Sequence, residues 1–593
     1  MGDSMYTEVK SYQIIIALLK KYGIKHLVLS AGSRNVPLVH SVEEDPFFHC
    51  YSVVDERSAG YFALGLSQQI NEPVLISCTS STATANYWPA VAEAFYQNVP
   101  LIVMTSDRNP AMLGQLEDQM IDQVGMFDRH VKKSVNLPVV NDRGDFIFCQ
   151  RLVNEAFLEL DHHGKGPVHI NIPMKDYNNS FNVKKLPEVT KIDRCEIEDP
   201  EKKWKNYVEE LSTKEKILII AGQQSMIEPK TKSLIDNFSK KFNCVVTGEY
   251  MSNLDVESFV NTTLPFETRY ITEKKFQEFL PDVVISFGKN MTSGIKDMLR
   301  KFSGSFEHWD IRENGEVVDA YKSLTTIFEC SIDYFFNFFT KTVDSDSKNN
   351  CLYKKQFENY SNSVVIPDLP FSNLYAIKET VEKVPENSIL HLSINSSIRI
   401  ANFSKIKKNI RTYANIGTHG IDGCLSSFLG QAYASDELAF LVIGDLSFFY
   451  DMNALRIRHI KNNVRILMIN NHGGEEFYYN RMWKNEASDL HTTARHNTEA
   501  RGWVESNSFH YIPVYDKDSL EQALQVFFDK KFGSSIFIEV FTEMKTDAEE
   551  IYKLYDLSRP KDIKSESIRK SKELIKKTIG QEKAIKMASL FKK

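Results

Sequence analysis

Two short apolar runs lie within residues 440–474, and polar residues follow each run directly. The first run leads into Gly444 and Asp445, and the second leads into Asn470 and Asn471. Runs of this length, bounded by turn residues, are typical of buried strands, and a helical pattern follows Asp445. Open parallel sheets bind ligands at the carboxyl ends of their strands. The segment therefore predicts a ligand site at one edge of a parallel sheet.

The residue types at this edge favour a magnesium ion that holds a diphosphate. Mg²⁺ prefers oxygen ligands; Asp445 offers a carboxylate, and Asn471, 26 positions later (471 − 445), offers an amide oxygen. The carbonyl of Gly473 can be approached closely because the residue has no side chain. N–H groups of the helix that begins near Leu446 and Ser447 would face the phosphates. The alternative is an ordinary strand–turn–helix in which Asp445 only caps the helix.

Composition limits the class of protein. The 593 residues are enough for three or four domains, and the net charge of −6 argues against a general nucleic-acid partner. Eight cysteines without a C-x-x-C pair indicate reduced thiols and a cytoplasmic location. No apolar run reaches the ~18 residues of a transmembrane segment. Residues 14–19 are apolar but flanked by charges, which predicts an amphipathic helix and not a signal peptide.

Strand and helix patterns alternate along most of the chain. Strands are predicted at 26–32, 73–80 and 100–107, with helices at 58–70 and 89–97 between them. This alternation predicts an α/β fold with doubly wound parallel sheets.

A second α/β unit follows, with strands predicted at 216–222, 244–250 and 282–290, and the third unit contains the opening segment. The first strand of the second unit, at 216–222, is not followed by a G-x-G-x-x-G fingerprint, so a dinucleotide site is weakly supported there. The polar stretches 176–205 and 341–366 are interpreted as linkers.

The predicted domains are 1–180, 200–345 and 367–556, followed by a basic tail at 557–593. From residue 559 onward the tail has twelve Lys/Arg and four Asp/Glu, a net charge of +8. A solvated helix and contact with an anionic surface or partner both fit this composition.

A second polar constellation lies near the N-terminus. Asp55 and Glu56 alone look like a helix cap with an acidic first turn. Four further motifs accompany them in order, at 31–34 (AGSR), 78–83 (CTSSTA), 105–110 (TSDRNP) and 119–124 (QMIDQV).

Together with 417–423 (GTHGIDG), 444–447 (GDLS) and 470–474 (NNHGG), these motifs resemble the MenD family. Its members are thiamin-diphosphate synthases of 2-succinyl-5-enolpyruvyl-6-hydroxy-3-cyclohexene-1-carboxylate (SEPHCHC). The resemblance is strong over about 25–135 and 410–480.

The resemblance implies three domains: pyrimidine-binding, central and diphosphate-binding. Glu56 would be the catalytic carboxyl against the aminopyrimidine, in a largely apolar site. Mg²⁺, with Mn²⁺ as an alternative, would bind Asp445, Asn471 and Gly473. The implied cofactor-binding residues are Glu56, Gly420, Ile421, Gly444, Asp445, Leu446, Ser447, Asn471 and Gly473.

The family's reaction decarboxylates a 2-oxo acid donor and joins the remainder to a small-molecule acceptor. A homodimer or homotetramer would place the active site at the subunit interface. The implied substrate-binding residues are Ser33, Arg34, Arg108, Gln119, Arg399, Glu476 and Phe477. Without the resemblance, each of these arginines is more often a surface or helix-capping residue.

Four positions depart from the family pattern. Ile416 and Gly294 stand where the family has basic residues, Asp118 replaces an asparagine, and Glu476 replaces an apolar residue. Charge changes near a poorly solvated carboxylate pocket can alter binding by several kcal/mol. We therefore expect a donor or acceptor that is less anionic than 2-oxoglutarate or isochorismate.

Other functions are also open. The chain could be a simple 2-oxo acid decarboxylase or an acetolactate-type ligase. From another class, it could be a thiamin-diphosphate-binding structural subunit without catalysis, although Glu56 argues against that. A flavin or nicotinamide enzyme lacks a glycine fingerprint.

Overall fold

The structure is a computed structural model that describes residues 5–175, 180–224, 227–267, 270–343, 351–417, 419–458, 460–479 and 489–557. The basic tail predicted at 557–593 lies outside the described residues except for Leu557. Contacts between Cα atoms divide the chain into two compact units. Unit 1 is Met1–Trp204 with Glu307–Ser331, and unit 2 is Lys205–Phe306 with Ile332–Lys593.

The first sheet belongs to unit 1 and is parallel, with strand order β2-β1-β3-β4-β6-β5. Its strands are β1 (His26–Leu29), β2 (His49–Ser52), β3 (Val74–Cys78), β4 (Leu101–Asp107), β5 (Lys133–Asn136) and β6 (Val168–Pro173). Its helices are α1 (Lys10–Tyr22), α2 (Val36–Glu43), α3 (Glu56–Ile70), α4 (Thr82–Asn86), α5 (Trp88–Tyr96) and α6 (Arg143–Leu158).

Successive residues of the inner strands enter different hydrophobic clusters. Leu75 and Ile102 belong to one cluster, whereas Ile76 and Val103 belong to another. Because side chains alternate across a strand, both faces of the sheet are buried. The predicted doubly wound arrangement is confirmed.

Helix α1 is buried more completely than its predicted amphipathic pattern implies. All of residues 14–19 are buried, and the helix ends at Gly23 in the left-handed conformation, with φ 74°. A glycine at this position ends a helix without steric cost.

A second set of six strands is also parallel, with three strands in each unit. The unit 1 strands lie in the order β7-β12-β11 and the unit 2 strands in the order β10-β8-β9. The strands are β7 (Asp193–Glu196), β8 (Ile217–Ala221), β9 (Cys244–Gly248), β10 (Val283–Phe287), β11 (Glu307–Ile311) and β12 (Leu324–Glu329). The helices are α7 (Glu201–Ser212), α8 (Pro229–Lys241), α9 (Glu273–Phe276), α10 (Gly294–Lys301), α11 (Ile332–Thr342) and α12 (Leu352–Ser363).

Both predicted linkers contain regular structure, so those predictions are wrong in part. Residues 176–205 include β7 and the start of α7; β7 is an edge strand, where polar residues are tolerated. Residues 341–366 include α12, which buries only Tyr353 and Phe357. These two aromatic side chains, four residues apart, anchor a helix whose remaining residues are mostly polar.

The third sheet belongs to unit 2 and is parallel, with strand order β14-β13-β15-β16-β18-β17. Its strands are β13 (Ile389–Leu392), β14 (Arg411–Tyr413), β15 (Ala439–Gly444), β16 (Val464–Asn470), β17 (His510–Val514) and β18 (Ile536–Phe541). Its helices are α13 (Asn373–Val381), α14 (Ser396–Phe403), α15 (Cys424–Tyr433), α16 (Asp445–Asp451), α17 (Glu475–Tyr479), α18 (Asp489–Thr493), α19 (Arg501–Ser506), α20 (Lys517–Phe527) and α21 (Met544–Asp556).

Two neighbouring strands of this sheet end together. Gly444 of β15 lies opposite Ile469 of β16 in the parallel register. The residues that follow each strand therefore emerge at the same edge of the sheet, as predicted for the opening segment.

Across the described ranges, no helix combines the length and the apolar character needed to span a bilayer. The eight cysteines are thiols: six are buried, Cys351 is partly buried and Cys50 is exposed.

Candidate active site

Asp445 lies at the aligned ends of β15 and β16, as the first residue of α16, and is buried. Its Oδ2 accepts a hydrogen bond from the backbone N of Gly473 at 3.0 Å, and its Oδ1 accepts one from the N of Leu446 at 2.6 Å. The residue that precedes the helix is Gly444. The carboxylate therefore does more than cap α16, because it joins the ends of the two strands.

Position 473 requires glycine, because a side chain there would clash with the neighbouring backbone. Its φ is +147°, and an added Cβ would lie 2.7 Å from the carbonyl O of Thr493 and 3.3 Å from Sδ of Met544. The following Gly474 donates its N–H to the same Thr493 O at 2.6 Å. This close backbone packing fixes the loop beside Asp445.

The loop is also held by a segment twenty-odd residues further along the chain. His496 donates its backbone N–H to the O of His472 at 3.1 Å. The His496 Nε2 lies 3.2 Å from Oδ2 of Asp445. Sequence analysis did not identify His496, since nothing in its local pattern indicates proximity to the strand ends.

Asn471 is buried, and its amide nitrogen faces Oδ2 of Asp547 at 3.2 Å and Oε2 of Glu475 at 3.5 Å. The amide oxygen is the end of this side chain that remains for a cation. A carboxylate, an amide oxygen and backbone carbonyls form a hard donor set that suits Mg²⁺. The residues at this edge therefore fit the predicted metal.

Glu475 is a buried carboxyl that sequence analysis missed while it considered the neighbouring Glu476. Its Oε2 accepts hydrogen bonds from Nδ2 of Asn373 at 2.6 Å and from Oγ of Ser396 at 2.8 Å. Burial, followed by the charge of Asp547, raises the pKa of Glu475. Burial also raises the pKa of Asp547. The pair therefore adds less negative charge to the site than two exposed carboxylates would.

Glu476 and Phe477 are partly buried on the short helix α17. Arg399, on α14, is partly buried, and its charge partly offsets the rise in the pKa of Glu475. Arg399 lies on the same helix as Ser396, whose Oγ contacts Glu475 beside the loop that carries the predicted magnesium ligands.

The other predicted cofactor residues lie around the start of α16. Ser447 is buried, and its Oγ donates to the O of Ile421 at 2.5 Å. Leu446, Ile421 and Gly420 are partly buried. The apolar Ile421 side chain packs against the hydrophobic core of unit 2.

Two residues that depart from the family pattern are explained by packing. Ile416 is fully buried in the hydrophobic core of unit 2. Gly294 is the buried first residue of α10, directly after the capping Ser293. Asp118 is exposed.

In unit 1, Glu56 is the first residue of α3 and is partly buried. Asp55 caps this helix, since its Oδ1 accepts from the N of Ser58 at 3.0 Å. Burial raises the pKa of Cys78 and of Tyr87, and the charge of Glu56 adds to both shifts. Helix α3, which begins at Glu56, packs through Ala59 and Ala63 against the strand that ends at Cys78.

Two predicted substrate residues contact each other in unit 1. Nη1 of Arg34 donates to Oε1 of Gln119 at 2.8 Å, and Ser33 lies in the same 3₁₀ turn, Ser33–Asn35. Oγ of Ser80 donates to the O of Gln119 at 3.0 Å. Arg108 forms an ion pair with Glu117, a partner that sequence analysis did not identify.

The comparisons with known proteins point to one enzyme family. The family model described as "Thiamine pyrophosphate enzyme, N-terminal TPP binding domain" matches residues 9–126. A 2-succinyl-5-enolpyruvyl-6-hydroxy-3-cyclohexene-1-carboxylate synthase of Bacteroides thetaiotaomicron is 39% identical over 552 residues, which are 92% of this chain and 98% of the relative. The chain belongs to this synthase family. Proteins of the same name from Phocaeicola vulgatus and Flavobacterium psychrophilum are 38% and 33% identical, over 92% of this chain and 97% and 98% of the relatives.

Membership of the synthase family makes the chain a thiamin-diphosphate enzyme and confirms the predicted resemblance. The likeness extends further than the two stretches identified from motifs, since the aligned 92% of the chain includes most of the central region.

Proposed function

We propose that the chain is a magnesium- and thiamin-diphosphate-dependent SEPHCHC synthase, which decarboxylates 2-oxoglutarate and joins the remainder to isochorismate. The observation that carries the proposal is the contact between Asp445 and Gly473 at the aligned ends of β15 and β16. This contact supports the proposal because it holds the Asp445 carboxylate beside the Gly473 loop, where a magnesium diphosphate would need hard oxygen ligands, in a chain similar to named synthases over 97–98% of their length.

The side chains of unit 2 would hold the cofactor. Asp445, Asn471 and Gly473 would bind Mg²⁺, or Mn²⁺ in its place, and the N–H groups at the start of α16 would face the diphosphate. When bound, thiamin diphosphate supplies the nucleophilic carbon and the electron sink for decarboxylation. Ile421 would support the cofactor from its apolar side.

Glu56 would hold a proton at the aminopyrimidine of the cofactor. We propose that Glu56 of one subunit serves the diphosphate site of another, in a homodimer or homotetramer. Large apolar side chains stand exposed on the helices around Glu56, namely Tyr61, Phe62, Trp88 and Tyr96. Exposed apolar surface of this kind is typical of an interface, which supports the oligomer.

Arginines would bind the carboxylates of the substrates. The guanidinium of Arg34, oriented by Gln119, and that of Arg108 suit carboxylates because their N–H groups form a planar fork. Ser33, Arg399 and Phe477 would complete the substrate pocket. Domain bounds of 1–180, 200–345 and 367–556 and a cytoplasmic location form part of the same proposal.

A second candidate is the same ligation with a less anionic acceptor. Glu476 favours it, because a carboxylate close to the cofactor loop disfavours an anionic substrate. Ile416 gives it less support than the sequence suggested, since its side chain is buried in the core.

The two candidates separate in one assay. Purified protein with thiamin diphosphate and Mg²⁺ is given 2-oxoglutarate and isochorismate, and carbon dioxide and the product mass are measured. Formation of the ligated product supports the synthase. Carbon dioxide release from 2-oxoglutarate without ligation to isochorismate favours the other acceptor, and absence of release contradicts both candidates.

A further inference from the structure

Three side chains of unit 1, none of them a predicted active-site residue, lie together in a group that could bind a metal ion. The ligand nitrogens of His162 and His163 and the carboxylate of Glu329 lie within 4.8 Å of one another. Both histidines follow the end of α6, and Glu329 is the last residue of β12. It is the one group of this kind in the part of the chain that the structure describes.

Both imidazoles direct Nε2 at the same carboxylate. The His162 Nε2 lies 2.7 Å from Oε2 of Glu329, and the His163 Nε2 lies 2.8 Å from Oε1. Each contact requires either a proton on Nε2 or a cation between the two ligand atoms.

His162 faces a second carboxylate as well, so both of its ring nitrogens lie next to acidic oxygens. Its other nitrogen, Nδ1, lies 3.0 Å from Oε1 of Glu159. A neutral imidazole has a single N–H, so a hydrogen bond to Glu159 leaves the Nε2 lone pair facing the oxygen of Glu329. Histidine metal ligands commonly donate their second nitrogen to a carboxylate in this way, which fixes the ring for the metal.

The charges around the group favour a divalent cation. Arg194 contacts Glu159 through Nη2 at 3.0 Å, and its Nε lies 3.7 Å from Oε2 of Glu329. In these direct side-chain contacts, the two carboxylates and the one guanidinium sum to a charge of −1.

The group can be reached from one side. The side chain of His163 is 67% exposed, whereas those of His162 and Glu329 are 8% and 7% exposed. Gly315, with φ +62°, closes the inner side, because a Cβ there would lie 2.3 Å from Oε2 of Glu329. An ion and a water ligand would enter past His163.

We propose that His162, His163 and Glu329 bind a divalent transition metal ion of the zinc class, with water as the fourth ligand. Two imidazoles and a carboxylate suit Zn²⁺ better than Mg²⁺. Tetrahedral zinc at about 2.1 Å from each ligand separates the ligand atoms by about 3.4 Å, so the two contacts open by roughly 0.6 Å. The ion links the segment after α6 to the end of β12 and stabilises unit 1.

The test uses untagged, full-length protein that has been treated with a chelator and then saturated with Mg²⁺ and thiamin diphosphate. Titration with Co²⁺ gives one equivalent per chain, with the visible ligand-field bands of a four-coordinate site, and Zn²⁺ displaces it. His163→Ala and Glu329→Gln lower the affinity at least about tenfold. Glu159→Gln weakens it by about 10- to 100-fold, as expected for a carboxylate that orients a ligand.

Two control variants separate this site from others. His49→Ala removes an exposed histidine whose ring neighbours that of His26 at 5.0 Å, and cobalt uptake stays unchanged. Asp445→Asn alters the proposed magnesium site, and it too leaves the cobalt bands intact.

Wild-type protein alone can overturn the proposal. X-ray absorption of the zinc-loaded wild-type protein should show two imidazole ligands and oxygen donors. This result does not depend on whether the variants fold. Absence of cobalt bands, a zinc spectrum without imidazole, or equal affinity in folded His163→Ala contradicts the site and leaves the two histidines hydrogen-bonded to Glu329.

Discussion

Asp445 accepts hydrogen bonds at the ends of two strands and is also a proposed Mg²⁺ ligand. One substitution can test the second role while the shape of the side chain is kept. Asp445→Asn keeps the shape of the side chain but removes the negative charge that the proposed Mg²⁺ requires. We expect the affinity for magnesium and thiamin diphosphate to fall at least about 100-fold, measured by calorimetry. Asp436→Asn is the control, because this aspartate is fully exposed and forms a surface ion pair with Lys461. Unchanged cofactor affinity in Asp445→Asn would refute the proposed ligand.

Gly473 allows a sharper test of the backbone. Gly473→Ala places a Cβ 2.7 Å from the O of Thr493 at a φ of +147°, so we expect a loss of about 1–3 kcal/mol in the stability of unit 2. The measurement is thermal unfolding of protein without cofactor. Gly502→Ala serves as the control, since no neighbouring atom lies within 4 Å of its added Cβ, and it should be neutral or slightly stabilising. Equal melting points for the two variants would contradict the steric argument.

The residues of the site differ in how far sequence could predict them. Asp445 and Asn471 follow apolar runs, so their place at a strand end follows from local pattern alone. Glu475 was missed because Asn373 and Asp547, which surround it, lie about a hundred and about seventy residues away in the chain. No local pattern distinguishes it from the less buried Glu476.

At the scale of elements, Arg465 ties β16 to the end of α20. It is fully buried and donates to the carbonyl oxygens of Phe527 and Asp529, both at 2.9 Å. Burial lowers the pKa of Arg465 to about 10, so it stays charged at neutral pH. Arg465→Met leaves buried carbonyls without donors and should cost roughly 2–4 kcal/mol in urea unfolding. The exposed Arg456→Met should change the free energy of unfolding by less than about 0.5 kcal/mol.

Asp45 gives the N-terminal helix an acid-sensitive anchor. It accepts hydrogen bonds from Nζ of Lys20, on α1, at 2.7 Å and from the hydroxyl of Tyr6 at 2.8 Å. Burial alone would raise the pKa of Asp45, but the hydrogen bonds from Lys20, the Phe47 backbone and Tyr6 outweigh it and lower the pKa below 3.8.

A carboxyl whose folded pKa is lowered stabilises the fold above its unfolded pKa, and that stability is lost as the pH falls through the folded value. Asp45→Asn should therefore cost about 2 kcal/mol at pH 7 and progressively less below pH 3.8. Chemical unfolding at pH 7 and in acid measures the difference. Glu188→Gln, in a highly exposed ion pair with Lys185, should show no such pH dependence. A constant penalty for Asp45→Asn at all pH values would contradict the anchor.

The elements that sequence predicted share a physical property. Strands such as β3, β8 and β16 are buried at every residue, so they read as apolar runs. Strand β7 is a four-residue edge strand, DRCE, whose pairing with β12 depends on residues about 130 positions later. Pairing of that kind leaves no periodic trace in the sequence.

At the scale of the whole molecule, the proposed oligomer makes a prediction about mixtures. If Glu56 of one subunit serves Asp445 of another, then Glu56→Gln and Asp445→Asn proteins are each inactive but regain activity when mixed. Random reassortment of dimers restores about a quarter of the wild-type turnover, because half of the dimers are mixed and each has one intact site. Carbon dioxide release after mild dissociation and reassociation measures it.

The control for this mixture is each variant mixed with itself, which should remain inactive. A mixture without activity, in which mass spectrometry shows that subunits have exchanged, would mean that each chain completes its own site.

Unit 1 is discontinuous in sequence: its first segment ends at Trp204, and its second segment is Glu307–Ser331. During synthesis, roughly 127 residues (331 − 204) must therefore follow before the unit has all its strands, a delay of about 6–25 s at typical translation rates. In that interval β7 has no β12 to pair with, and its polar sequence gives a nascent chain little with which to aggregate. The order of synthesis, and not only the final packing, thus favours a hydrophilic sequence in the edge strand β7.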